Sequence, residues 1–211
     1  MLRENRKKLS GLSKKIIETF KEEKLIFRRD EILEIGCETE TFTVPFSYEG
    51  RKVVALDFSS KKLNKLKNEI ETLKISNIEL ILKRLEDLIS NKKFDFVLAA
   101  FCPAIRDGKI LLKMKELSKY YACLVRYAKL DDFTVAIRNK LWKFLTGKEW
   151  NSQGFHIIYS FNLLYTYNFY LQLRVVRSFH IIVDVLLGNM KAISRFLFPG
   201  IRKKFYDKRV F

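Results

Sequence analysis

Short continuous runs of Val, Ile, Leu and Phe alternate along the chain with stretches in which apolar residues recur every three or four positions. The first pattern belongs to buried strands and the second to amphipathic helices, so the alternation predicts an α/β fold with a mostly parallel sheet and crossover helices. Strands are expected at Ile32 to Ile35, Lys52 to Asp57, Ile78 to Leu82, Phe94 to Ala100 and Tyr121 to Tyr127. Leu63, Leu66, Ile70 and Leu73 mark a helix capped by Ser59 or Ser60, and Ile110, Leu111, Met114 and Leu117 mark another. Right-handed crossovers then gather the ends of the first, second and fourth strands around one crevice, where open α/β sheets bind ligands.

The flanks are read in the same way. Leu9, Leu12, Ile16 and Phe20 give an amphipathic helix within residues 1–28 that packs on a core of residues 29–130. Beyond Asp131, a helix through Ile137, Leu141, Trp142 and Leu145 ends near Gly147. Leu171 to Phe179 reads as a sixth strand, Ile181 to Phe198 as a helix stopped by Pro199-Gly200, and Lys204 to Phe211 as a final strand. Residues 131–211 are thus expected to supply a substrate-recognition segment and the end of the same domain.

Composition narrows the class. A chain of 211 residues, 48% apolar and 31% charged, suits one folded domain. Its charged amino terminus lacks a secretory apolar core, and Cys37, Cys102 and Cys123 form no C-x-x-C pair. A cytoplasmic, reducing setting without a zinc site is therefore expected. The stretch from Trp150 to Leu173 is uncharged and long enough to cross a bilayer, but Asn151, Gln153, His156, Asn162 and Asn168 make it too polar. It reads as buried or pocket-lining.

The net charge is +17, and beyond residue 132 thirteen Lys and Arg face three acids. Such a surface favours anionic partners, whether nucleic acid, phosphorylated metabolites or a membrane, and it also fits a merely solvated basic exterior.

The chemistry concentrates at Ile32-Leu33-Glu34-Ile35-Gly36-Cys37, a buried strand running into a glycine turn, with Asp57 closing the second strand twenty-one positions after Gly36. An acid, a turn and a second acid at that spacing indicate a nucleotide-like cofactor site. The turn continues with Glu38-Thr39-Glu40. Those carboxylates would repel a pyrophosphate, and no G-x-G-x-x-G is present, so a nicotinamide dinucleotide is excluded.

These residues and their order resemble class I S-adenosylmethionine-dependent methyltransferases, whose Rossmann-like sandwich has helices on both faces of the sheet. The resemblance covers roughly residues 30–130. It implies S-adenosylmethionine as cofactor, with Glu34, Gly36, Cys37 and Glu38 along its methionine part, Asp57 on the ribose hydroxyls and Phe58 beside the adenine. Family alignment puts Arg84 where an acid usually meets the adenine amine, so Leu85 and Glu86 are the candidates there. Phe101 and Cys102 would complete the cofactor side, and Pro103 would begin the acceptor side. Elements after the fifth strand usually recognise substrate in this family, which makes Tyr159, Asn162 and Tyr165 substrate candidates.

Other groups carry less. Cys102-Pro103 reverses the order of the pyrimidine-C5 methyltransferase motif, and a buried structural cysteine is the commoner role. His156 and His180 have no partner at ligand spacing. Three functions stay open: transfer of a methyl group to a small-molecule acceptor, an anionic one in keeping with the basic surface; methylation of RNA through the basic carboxy-terminal third; and a non-catalytic relative in which Glu38 fills the methionine pocket.

Overall fold

The structure, a computed structural model, describes residues 11–37, 41–126, 140–148, 157–173 and 185–188. Among the described residues, seven strands form one sheet: β1 (Glu31–Ile35), β2 (Lys52–Asp57), β3 (Ile78–Leu82), β4 (Phe94–Ala100), β5 (Ser118–Val125), β6 (Tyr170–Leu173) and β7 (Val185–Gly188). Their spatial order is β3-β2-β1-β4-β5-β7-β6. The first five pair in parallel, while β7 runs antiparallel to both β5 and β6. The order reverses direction beside β1, so the topological switch point lies between β1 and β4.

Helices cover both faces because successive strand residues point to opposite sides. On one face Leu33, Ile35, Val97, Ala99, Ala122 and Leu124 pack with α4 (Gly108–Glu116) and with Leu164 of α5 (Ile157–Thr166). On the other, Ile32, Val53, Phe96, Leu98 and Cys123 meet α1 (Gly11–Glu22) and α2 (Thr43–Glu49). There Phe20 lies 5.3 Å from Phe96, and Phe96 lies 6.1 Å from Phe46, ring centre to ring centre. Each such aromatic pair adds about 1 kcal/mol beyond its buried area. The helix α3 (Ser60–Leu73) covers the neighbouring part of that face through Leu63 and Leu66.

Two side chains fix where the crossover helices begin. Ser59 Oγ accepts the amide of Lys62 at 3.4 Å, and Asp107 Oδ1 accepts the amide of Ile110 at 2.9 Å. Capping of this kind anchors the two helices that follow the carboxyl ends of β2 and β4.

Four features differ from the sequence expectation. Strand β5 begins at Ser118 rather than Tyr121, because Phe94 supplies a pairing partner at that level. Helix α2 was not anticipated: its Thr-Phe-Thr-Val-Pro-Phe stretch shows weak helical periodicity, and Pro45 is tolerated only because it falls in the first turn. Within the expected helix Ile181 to Phe198, residues Val185–Gly188 instead form β7. An apolar run this rich in β-branched residues fits either element, and the open edge of β5 decides for a strand. Finally, β6 occupies Tyr170–Leu173, the front of the expected Leu171 to Phe179 strand. The rest of that strand, Leu9 and the Lys204 to Phe211 strand lie outside the described residues.

Candidate active site

Gly36 follows β1 directly and holds φ at +72°, the left-handed region that side chains resist. Its amide donates to the carbonyl of Leu56 at 2.8 Å, tying the turn to the last residues of β2. A Cβ at this position would sit 2.2 Å from Cys102 Sγ. Backbone conformation and close packing therefore both demand glycine, and the Cys102 thiol forms the floor under the turn.

Two carboxylates flank it. Asp57, at the carboxyl end of β2, is only 4% exposed, and its Oδ1 accepts the amide of Ser59 at 2.8 Å. Among the described residues none donates to its Oδ2. Glu34, one residue before the end of β1, is buried and accepts the hydroxyl of Thr43 from α2. Burial, together with the nearby Asp57 charge, pushes the Glu34 carboxyl up to about 7.

A stability prediction follows from that shift. The folded Glu34 holds its proton above the pH at which the unfolded chain releases it, so stability falls as pH rises from about 4.5 through 7. Glu34→Gln should flatten this dependence, with the wild type losing on the order of 3 kcal/mol more than the variant between pH 4.5 and 8. Urea denaturation across that range measures it. Equal slopes would mean that Glu34 titrates normally.

The remaining cofactor candidates gather at the same end of the sheet. Phe58 is 60% exposed beside Asp57, and the Arg84 guanidinium lies 5.9 Å from its ring centre. Leu85 opens a single 3-10 turn, Leu85–Asp87, but its side chain is buried in the core, so only its backbone can serve the crevice. Glu86 receives the Arg106 guanidinium at 3.0 Å and lies 3.9 Å from Arg84. Its carboxyl is held below the usual range, first by its own backbone amide and then by Arg106. Phe101 closes β4 in a left-handed conformation, φ +50°, and donates its amide to Val125 O at 2.9 Å.

Both cysteines of the site are buried, and desolvation pushes the Cys37 thiol well above its ordinary range and raises that of Cys102. A neutral thiol is a poor nucleophile, so Cys102 serves packing. Pro103 is exposed next to it. On α5, Ser160 and Leu164 pack inward, whereas Tyr159, Asn162 and Tyr165 stand on the exposed outward face. The helix sits against the start of α4, where a Cβ on Gly108 would lie 2.6 Å from Leu163. Glu38 and Glu40, and with them the question of what fills the methionine pocket, lie outside the described residues, as do His156 and His180.

Sequence reading missed two residues. Thr43 escaped notice because α2 was not anticipated. Arg126 directly follows β5, half-buried, and its guanidinium donates to the carbonyl of Ile105 in the loop after β4. Its signal was a lone cation ending an apolar strand, hidden while that strand was expected to reach Tyr127. Two hollows, of about 330 and 510 Å³, lie at the opposite, amino-terminal end of the strands and are lined by Asp30, Arg51, Lys119 and Asn77 among others. Among the described residues no cluster of His, Cys, Asp and Glu could hold a metal, and no helix is long and apolar enough to cross a membrane.

Comparison with known proteins agrees with this reading. Residues 32–121 match the family model described as a methyltransferase domain. The fold is similar to magnesium protoporphyrin IX methyltransferase from Synechocystis PCC 6803, solved with bound S-adenosylhomocysteine: TM-score 0.62, 14% identity, covering 83% of this chain and 80% of that one. It is also similar to a SAM-dependent methyltransferase from Aquifex aeolicus, with TM-score 0.60, 16% identity and 83% and 88% of the two chains. The N-methyltransferase NodS from Bradyrhizobium japonicum gives TM-score 0.57 at 12% identity, over 85% of this chain and 98% of that one. No curated protein matches in sequence. Parallel sheet and glycine turn give this chain the fold of class I S-adenosylmethionine-dependent methyltransferases, and residues 32–121 match a methyltransferase domain.

Proposed function

We propose that this protein is a methyltransferase that transfers the methyl group of S-adenosylmethionine to a small-molecule acceptor carrying a negative charge. The observation that carries the reading is the buried Asp57 carboxylate, its Oδ2 without a donor among the described residues, at the end of the strand next to a glycine turn that admits no side chain. The residues present suit the cofactor. Asp57 offers acceptor oxygens to a vicinal diol, and Gly36 lets the backbone pass close to a ligand. When bound, S-adenosylmethionine supplies an electrophilic methyl group on a sulfonium.

The chain's own residues then position the acceptor. Methyl transfer requires placement and desolvation of a nucleophile more than a fixed catalytic group. Cys102 and Pro103 begin the loop on the acceptor side, and Arg126 holds that loop through Ile105 while placing a cation at the end of β5. A half-buried guanidinium suits a carboxylate or phosphate on the acceptor. Calorimetry with S-adenosylmethionine and S-adenosylhomocysteine tests the cofactor part: micromolar binding is expected, and none at millimolar ligand would refute it. Arg126→Met should raise the KM for an anionic acceptor at least tenfold and leave cofactor affinity unchanged.

A second reading is favoured by one observation, the thirteen basic residues against three acids beyond residue 132. It makes RNA the acceptor. RNA affinity that falls steeply with salt would support it.

A further inference from the structure

We propose that the helical segment 140–146 is a docking element for the surface of an anionic phospholipid bilayer. Four of its seven residues are large and apolar, and all four are exposed to solvent: Phe144 at 87%, Leu145 at 68%, Leu141 at 55% and Trp142 at 39%. Turning 100° per residue places Leu141 and Leu145 at the centre of one apolar arc, with Phe144 and Trp142 at its two margins. Lys140, Lys143 and Thr146 fill the remaining arc. An apolar stripe edged by aromatics and backed by lysines is the pattern of a helix lying in a membrane interface.

Charge selects the occupant. The segment 140–146 itself carries Lys140 and Lys143 and no acid, with Arg138 and Lys148 beside it and Asp131, Asp132 and Glu149 bounding the stretch. A second copy of this chain carries the same +17 and would be repelled. Nucleic acid would satisfy the lysines but has no use for two leucines, which neither stack on bases nor bond to them. An anionic lipid surface accepts both halves: lysines among the headgroups, leucines and phenylalanine at the acyl boundary. Among the described residues no helix spans a bilayer, so the attachment is peripheral.

The chain carries its own reporter, since both of its tryptophans, Trp142 and Trp150, fall in or near this segment. Vesicles of phosphatidylcholine containing about 30% phosphatidylglycerol should shift the tryptophan emission to the blue and co-sediment the protein. Binding should weaken severalfold as salt is raised from about 0.1 to 0.5 M, as screening requires. Phe144→Ser with Leu145→Ser should lower vesicle affinity at least tenfold with unchanged thermal unfolding, because both side chains are exposed. Lys140→Glu with Lys143→Glu should abolish the preference for phosphatidylglycerol. Failure to sediment with any vesicle, equal binding to pure phosphatidylcholine, or full binding by the Phe144 and Leu145 double variant would each overturn the proposal. So would vesicle-free dimerisation, or RNA binding, that this double variant removes.

Discussion

Asp57→Ala should abolish measurable S-adenosylmethionine binding while the sheet stays folded. The carboxylate closes β2 with Oδ1 on the Ser59 amide and Oδ2 without a donor among the described residues, so its loss removes the two acceptor lone pairs of Oδ2 from any ribose held there. Each is worth about 1.5 to 3 kcal/mol, which converts to two to four orders of magnitude in Kd. Asp57→Asn, which keeps one acceptor oxygen, should fall between. Stability should barely change: the lost Ser59 bond is offset by relief of the repulsion Asp57 exerts on Glu34. Titration calorimetry alongside thermal unfolding separates these effects. A variant that keeps micromolar affinity would show that the cofactor is held elsewhere.

The largest effect on stability is expected at Gly36. Any side chain there pays the left-handed penalty of about 1 to 2 kcal/mol and also meets Cys102 Sγ at 2.2 Å, an overpacking cost of about 1 to 3 kcal/mol. Gly36→Ala should therefore destabilise the protein by roughly 2 to 5 kcal/mol. Combining it with Cys102→Ala removes the sulfur and should recover the overpacking part, leaving the backbone part. The cycle measured by urea denaturation should show a coupling above about 1 kcal/mol. Strict additivity would mean that the two residues do not touch.

Much of this site was legible in the sequence. The strands of the parallel half are apolar runs bounded by turn residues, so periodicity placed β1 to β4 within a residue or so. The order acid, glycine, acid puts Glu34, Gly36 and Asp57 at the carboxyl ends of two paired strands, as the register of β1 and β2 shows. What escaped is equally physical. The helix α2 holds only seven residues, opens without a side-chain cap and buries Val44 and Phe46 through tertiary contact rather than a long repeating stripe. Local pattern cannot reveal such an element. The same holds for β7, whose apolar run acquires strand geometry only by pairing with β5 on one side and β6 on the other. Thr43 and Arg126 were missed for that reason, since each depends on an element end that sequence alone did not fix.

The close seat of Cys102 beneath Gly36 bears on how inhibition of the proposed methyl transfer is to be interpreted. A reagent that alkylated or oxidised that sulfur would add atoms where not even a methyl group fits, and the turn above it would have to lift. Activity would vanish, and prior occupancy of the crevice would protect the thiol by holding the turn down. Both results are usually taken as signs of a covalent intermediate. In this chain they would report only the displaced backbone.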